Sequence, residues 1–164
     1  GFDDDDMVAF ASAFDGSGAN CLIAANFAIS AVLMMKFAAE AAALFDTAEI
    51  IELHHDEKID APSGTALATA RMMQPGEHGW ADDPTQIEEP EGARGGQGPN
   101  GVRIHSVRMR GMTAHQEVIL GAQGQTLTLR QDSYDRTSFM PGVVLACRRI
   151  KEASGLIVGL EALL

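Results

Sequence analysis

Glu49-Ile50-Ile51-Glu52-Leu53-His54-His55-Asp56-Glu57-Lys58-Ile59-Asp60-Ala61-Pro62-Ser63-Gly64-Thr65-Ala66 passes from strand to polar turn to helix start. Ile50, Ile51 and Leu53 make residues 49–55 strand-like, and the chain turns polar over His54 to Lys58. Pro62-Ser63-Gly64-Thr65 then opens a short helix, expected from Ala66 to about Met73.

On the N-terminal side, Asp3 to Asp6 put negative charge at a helix start, where the helix dipole favours it, and this helix is expected to reach about Phe14. Gly16-Ser17-Gly18 breaks the chain, and residues 20–24 read as a short buried strand. Ile29, Leu33, Phe37, Ala41 and Leu44 recur at helical spacing, so residues 29–45 are expected as a long amphipathic helix, with Met34 and Met35 as packing residues. On the C-terminal side, residues 74–100 are rich in Gly and Pro and loop-like; a loop this long inside a compact domain is usually functional or mobile. Strands are expected over 102–109, 115–121 and 125–131, the last two joined by a turn at Ala122-Gln123-Gly124. Leu127 and Leu129 alternate with Thr126, Thr128 and Arg130, as in a half-buried strand. Pro141 marks a helix start that residues 143–151 continue, and 156–158 form a short apolar piece. The order predicts an α+β fold, a mainly antiparallel or mixed sheet with helices on one face. No Gly-rich dinucleotide fingerprint follows any expected strand.

The chain has 164 residues, 46% apolar and 21% charged, a composition for one soluble domain with a real core. Its net charge of −11 argues against nucleic acid, and any site for an anion must be locally positive against that background. Cys21 and Cys147 lie in no Cys-x-x-Cys pair and are expected as buried thiols in a reducing compartment. Lys36 and Glu40 interrupt the nearest candidate for a membrane span, and the acidic start is unlike a signal peptide, so a cytoplasmic location is expected. The first residue is Gly rather than Met, so the chain reads as an excerpt or a processed form.

The densest chemistry lies in the opening stretch. Histidine exchanges protons near neutral pH, and lysine brings a cation or an acid. Ser63-Gly64-Thr65 at a helix start offers backbone N–H groups and hydroxyls to a carboxylate or phosphate, and Gly64 permits close approach. Together they suggest an acidic small molecule undergoing protonation. The plainer alternative is polar strand-end histidines followed by an ordinary helix cap. Zinc is disfavoured: His54, His55 and His115 have no metal-motif spacing, and adjacent histidines on an extended chain face opposite ways. Ser63 lies outside a Gly-x-Ser-x-Gly elbow, which disfavours a serine hydrolase.

The His-His pair, the Lys four residues past the first His, and Asp-Ala-Pro-Ser-Gly-Thr together resemble the signature of the 4-hydroxy-tetrahydrodipicolinate (dihydrodipicolinate) reductase family. Ala24-Ala25-Asn26-Phe27 is similar to the family's segment against the nicotinamide, and Gly1-Phe2 to the end of its cofactor loop. His115-Gln116-Glu117-Val118 and Asp135-Arg136-Thr137-Ser138-Phe139 resemble later segments in the style of actinobacterial members. The resemblance implies reduction of a cyclic dicarboxylate by NADPH or NADH in lysine and diaminopimelate biosynthesis, within a homotetramer. It implies that His54 and Lys58 handle protons, that His55, Ser63, Gly64 and Thr65 hold the substrate, and that Ala24, Ala25, Asn26, Phe27 and Arg136 lie toward the cofactor. It implies a division into residues 1–19, the remnant of a nucleotide-binding domain; 20–140, a substrate-binding and oligomerisation domain; and 141–164, a C-terminal helix and tail. The family's N-terminal Rossmann domain is missing from this sequence, so the chain by itself is expected to lack activity. A non-catalytic dicarboxylate-binding and tetramerisation module is the rival. Asp56 and Glu57 depart from the basic or neutral residues common there, and are expected either to pair with Lys58 or to face solvent.

Overall fold

Asp3 caps the first helix. Its carboxylate accepts from the Asp6 N–H at 2.9 Å and the Asp6 carboxylate accepts from the Asp3 N–H at 3.1 Å, closing a capping box at the head of α1 (Asp4–Phe14). The computed structural model describes residues 2–164, so the resemblance at Gly1 lies outside them. The chain divides into two compact units, residues 1–32 with 136–164 and residues 33–135, and the division falls within α2 (Ile29–Ala42).

In the first unit, β1 (Asn20–Ile23) pairs in parallel with β7 (Gly155–Val158), so the apolar piece expected near the C-terminus is a strand. Asn20 pins this pairing: its side chain donates to the Ile150 carbonyl at 2.8 Å and accepts from the Gly155 N–H at 3.0 Å. β1 is only half-buried rather than buried, because a two-stranded sheet leaves its strands partly open. α4 (Met140–Arg149) contributes Ala146 to a small core with Val32, Leu160 and Leu163. At Gly142 any side chain would collide with the Phe27 carbonyl, so glycine alone fits there. Cys147 corrects the expectation of two buried thiols. It is exposed, one position past buried Ala146 and so turned away from the core side of α4, and Cys21 is half-buried like the rest of β1.

The second unit is built on a five-stranded sheet, ordered β3 (Gly96–Gln97), β4 (Arg103–Arg108), β2 (Thr47–His54), β5 (Ala114–Ala122) and β6 (Gln125–Ser133). It is mixed: β2 runs parallel to β4 and antiparallel to β5, while β5–β6 and β3–β4 are antiparallel. The register stacks residues in rows on one face. Ile104, Ile50, Val118 and Leu129 form an apolar row, and Met34, Met35, Ala38 and Ala42 of α2 and Ala66, Ala70 and Met73 of the α3 region (α3, Gly64–Met72) pack over this face. The next row, Ser106, Glu52, Gln116 and Gln131, is polar, and Glu52 is fully buried.

α2 packs on a different stripe from the one its spacing suggested. Leu33, Phe37 and Leu44 are exposed, while Met34, Met35, Ala38 and Ala42 are buried. Both stripes have helical spacing. The buried one wins because alanines let the helix approach the sheet and flexible methionines fill the gaps left over. Residues 74–100 are tethered. Arg94 pairs with Glu49 at 2.6 Å, Arg103 with Asp83 at 2.9 Å, and the Trp80 indole N–H donates to the Asn100 carbonyl at 2.9 Å.

Candidate active site

The alternation of β2 decides what meets what. Ile50, Glu52 and His54 share the helix-covered face, and the register sets Ser106 beside Glu52 and Arg108 beside His54. His54 Nδ1 lies 2.5 Å from Glu52 Oε2. Arg108 grips the same carboxylate with both terminal nitrogens, Nη2 to Oε1 at 2.8 Å and Nη1 to Oε2 at 3.0 Å. Burial pushes the Glu52 carboxyl up. Hydrogen bonds from His54, Arg108 and Ser106, with the charge of Arg108, outweigh this and hold it at about 2. Glu52 is therefore a fixed anion inside the fold.

Arg108 also reaches the turn. Its Nη2 donates to the Asp60 carbonyl at 2.6 Å, and the Asp60 carboxylate in turn takes Lys58 Nζ at 2.7 and 2.8 Å. His54 and Lys58, which the family resemblance pairs, are thus joined by a continuous run of contacts through Glu52, Arg108 and Asp60. The hydrogen bond from Lys58 lowers the Asp60 pKa. Asp56 pairs with Arg110 at 2.9 Å instead of with Lys58, and Glu57 is exposed.

Ser63 is buried, and its hydroxyl accepts from the Ala66 N–H at 3.2 Å as the cap of α3. That bond is the ordinary cap of the plainer alternative. Gly64, the first residue of α3, is exposed, and nothing lies within 4 Å of where a Cβ would stand. An anion can therefore approach the positive end of the helix at this point. His55 follows β2, and its Nδ1 is buried with no hydrogen-bond partner among the described residues.

A cleft of about 530 Å³ opens beside this segment, between Ala61, Pro62, Leu67, Ile104 and Ser106 and the glycines of residues 95–98. No charged side chain lines it, so the groups suited to a dianion are those at the end of β2 and the start of α3. Among the described residues, no cluster of three or more His, Cys, Asp or Glu could hold a metal ion, and no helix is long and apolar enough to cross a membrane.

The residues assigned to the cofactor belong to the first unit. Ala24 to Phe27 lead from the end of β1 into α2, Ala25 is exposed, and the Asn26 side-chain Oδ1 accepts from the Ala28 N–H at 2.8 Å. Arg136 is exposed at the start of a 3-10 turn, Arg136–Phe139. Glu52 and Arg108 had no role in the sequence reading. The available signal was a carboxylate at an inward position of a strand, between Ile50 and His54, which requires a cationic partner.

Residues 30–164 match the family described as dihydrodipicolinate reductase, C-terminus. The chain is 57% identical over 145 residues to the 4-hydroxy-tetrahydrodipicolinate reductase of Mycobacterium ulcerans, covering 87% of this chain and 58% of that protein. It is 54% identical over 168 residues to the Listeria innocua protein of the same name, covering all of this chain and 62% of that one. In structure it resembles a dipicolinate-bound dihydrodipicolinate reductase from Paenisporosarcina sp. TG-14, with a TM-score of 0.84 and 47% identity over 100% of this chain and 62% of the other. The chain therefore spans about three-fifths of the length of the relatives it matches. On this similarity, the chain belongs to the dihydrodipicolinate reductase family, in the part described as its C-terminus.

Proposed function

We propose that this chain is the substrate-binding and proton-handling part of an NADPH- or NADH-dependent 4-hydroxy-tetrahydrodipicolinate reductase of lysine and diaminopimelate biosynthesis. The observation that carries this is the linkage of His54 to Lys58 through Glu52, Arg108 and Asp60, just ahead of the open helix start at Gly64. A cyclic dicarboxylate fits that arrangement. One carboxylate would sit at the start of α3 against Gly64 and Thr65, with the Ser63 hydroxyl shaping the turn. Lys58 would neutralise charge, and His55 would join Gly64 and Thr65 in holding the carboxylates. His54 would supply or accept the proton as the substrate is reduced, with Lys58 as the second donor. The nicotinamide, when bound, supplies hydride. Ala24, Ala25, Asn26 and Phe27 would hold its carboxamide end, with Arg136 toward the cofactor or the domain interface.

In this function, residues 1–19 end the nucleotide-binding half. Residues 20–140 bind substrate and build a homotetramer, and 141–164 form the C-terminal helix and tail. The enzyme works in the cytoplasm, without nucleic-acid or membrane partners. The test is calorimetric titration of this chain with dipicolinate, beside Lys58→Ala. Saturable binding is expected, weakened roughly tenfold or more by Lys58→Ala, the scale of a lost charged hydrogen bond. A folded chain that ignores dipicolinate would overturn the substrate role.

A further inference from the structure

We propose that Glu52 and Arg108 are positioning residues that determine which nitrogen of His54 carries the exchangeable proton. An ionised carboxylate only accepts hydrogen bonds, so at 2.5 Å from Glu52 Oε2 the His54 Nδ1 must be a donor. Nε2 is then the nitrogen left to meet a substrate. A free neutral imidazole favours the opposite tautomer, with its hydrogen on Nε2, so this pairing inverts the intrinsic preference.

Glu52 can act this way only as an anion, yet it is fully buried. Arg108 provides the compensating charge as a two-pronged grip, a geometry the planar guanidinium offers and an ammonium does not. The same guanidinium holds the Asp60 carbonyl, and Asp60 holds Lys58. One arginine thus sets the orientation of both proposed proton-handling side chains without lying on either. The register makes the arrangement obligatory: β2 places Glu52 two residues before His54 on one face, and β4 delivers Arg108 opposite His54.

This inference rests on the proton role proposed for His54. The test is the long-range proton–nitrogen spectrum of the uniformly nitrogen-15-labelled chain at about pH 8.5, above the ordinary histidine range. His54 is assigned by its loss in His54→Gln. Expected is a His54 ring with hydrogen on Nδ1, moving mainly to Nε2 in Glu52→Gln while the other histidines keep their signals. Arg108→Lys, which keeps the charge and loses the grip, is expected to populate both tautomers. Hydrogen on Nε2 in the parent chain, or an unchanged ring in folded Glu52→Gln, would overturn the proposal. A dipicolinate titration of the same samples separates the two ideas. Binding with hydrogen on Nε2 sinks the positioning role alone, and hydrogen on Nδ1 without binding sinks the substrate role alone.

Discussion

Arg108 donates to the Asp60 carbonyl across 2.6 Å while gripping the buried Glu52 with both terminal nitrogens, so one side chain ties the sheet to the turn that follows β2. Removing a single partner of a buried pair leaves an uncompensated charge, which costs about 3–5 kcal/mol. Arg108→Met is therefore expected to lower the urea midpoint sharply. The double variant Glu52→Gln, Arg108→Met is expected to regain part of the loss, because no buried anion remains. Equal losses in the single and double variants would show that Arg108 acts through packing alone.

Acid is expected to weaken the fold through Glu52. Its folded value of about 2 lies below its ordinary 4.5, so above pH 4.5 its contribution is fully present. Between about 4.5 and 2 the unfolded chain takes up a proton that the folded chain refuses, and the contribution falls away. The shift corresponds to roughly 3 kcal/mol. Asp132, lowered mainly by its hydrogen bond from Arg130, pulls in the same direction. Urea unfolding measured from pH 6 to 2.5 should show the parent losing stability more steeply than Glu52→Gln. Parallel profiles would remove Glu52 as the source.

Local pattern made the helices, the strands and the His54–Lys58–Gly64 segment legible, because each depends on neighbours in sequence. What escaped depends on distant pairs. Glu52 and Arg108 are 56 positions apart, and nothing near either announces the other. The β1–β7 pairing joins Asn20 to Gly155, too far apart for periodicity to register. On α2 the pattern was ambiguous rather than silent. Apolar residues surround the helix, and only the sheet beneath decided that Met34 and Ala38 go in and Phe37 stays out.

Lys58 is expected to bind a dianion more tightly once Asp60 ceases to compete for it. Asp60 is exposed and takes Lys58 Nζ at both carboxylate oxygens. Asp60→Asn should strengthen dipicolinate binding about threefold or more at low salt, and the gain should shrink as salt screens the charges. Asp56→Asn with Glu57→Gln should change it less, since Asp56 is turned to Arg110. If the Asp56 and Glu57 changes have the larger effect, the Lys58–Asp60 pair does not control the site in solution.

Ser63 and Gly64 adjoin each other but are expected to fail in different ways. Ser63→Ala removes the cap on the Ala66 N–H and should cost about 1 kcal/mol of stability. Its effect on dipicolinate should be small if the hydroxyl only caps. Gly64→Ala should fold well, because a Cβ there meets nothing within 4 Å and alanine favours helix over glycine. That same methyl would occupy the space through which a carboxylate approaches the helix start, so dipicolinate binding should weaken about tenfold or more while thermal stability holds or rises. Unchanged binding in Gly64→Ala would move the carboxylate away from the start of α3 and leave Lys58 and the histidines to hold it.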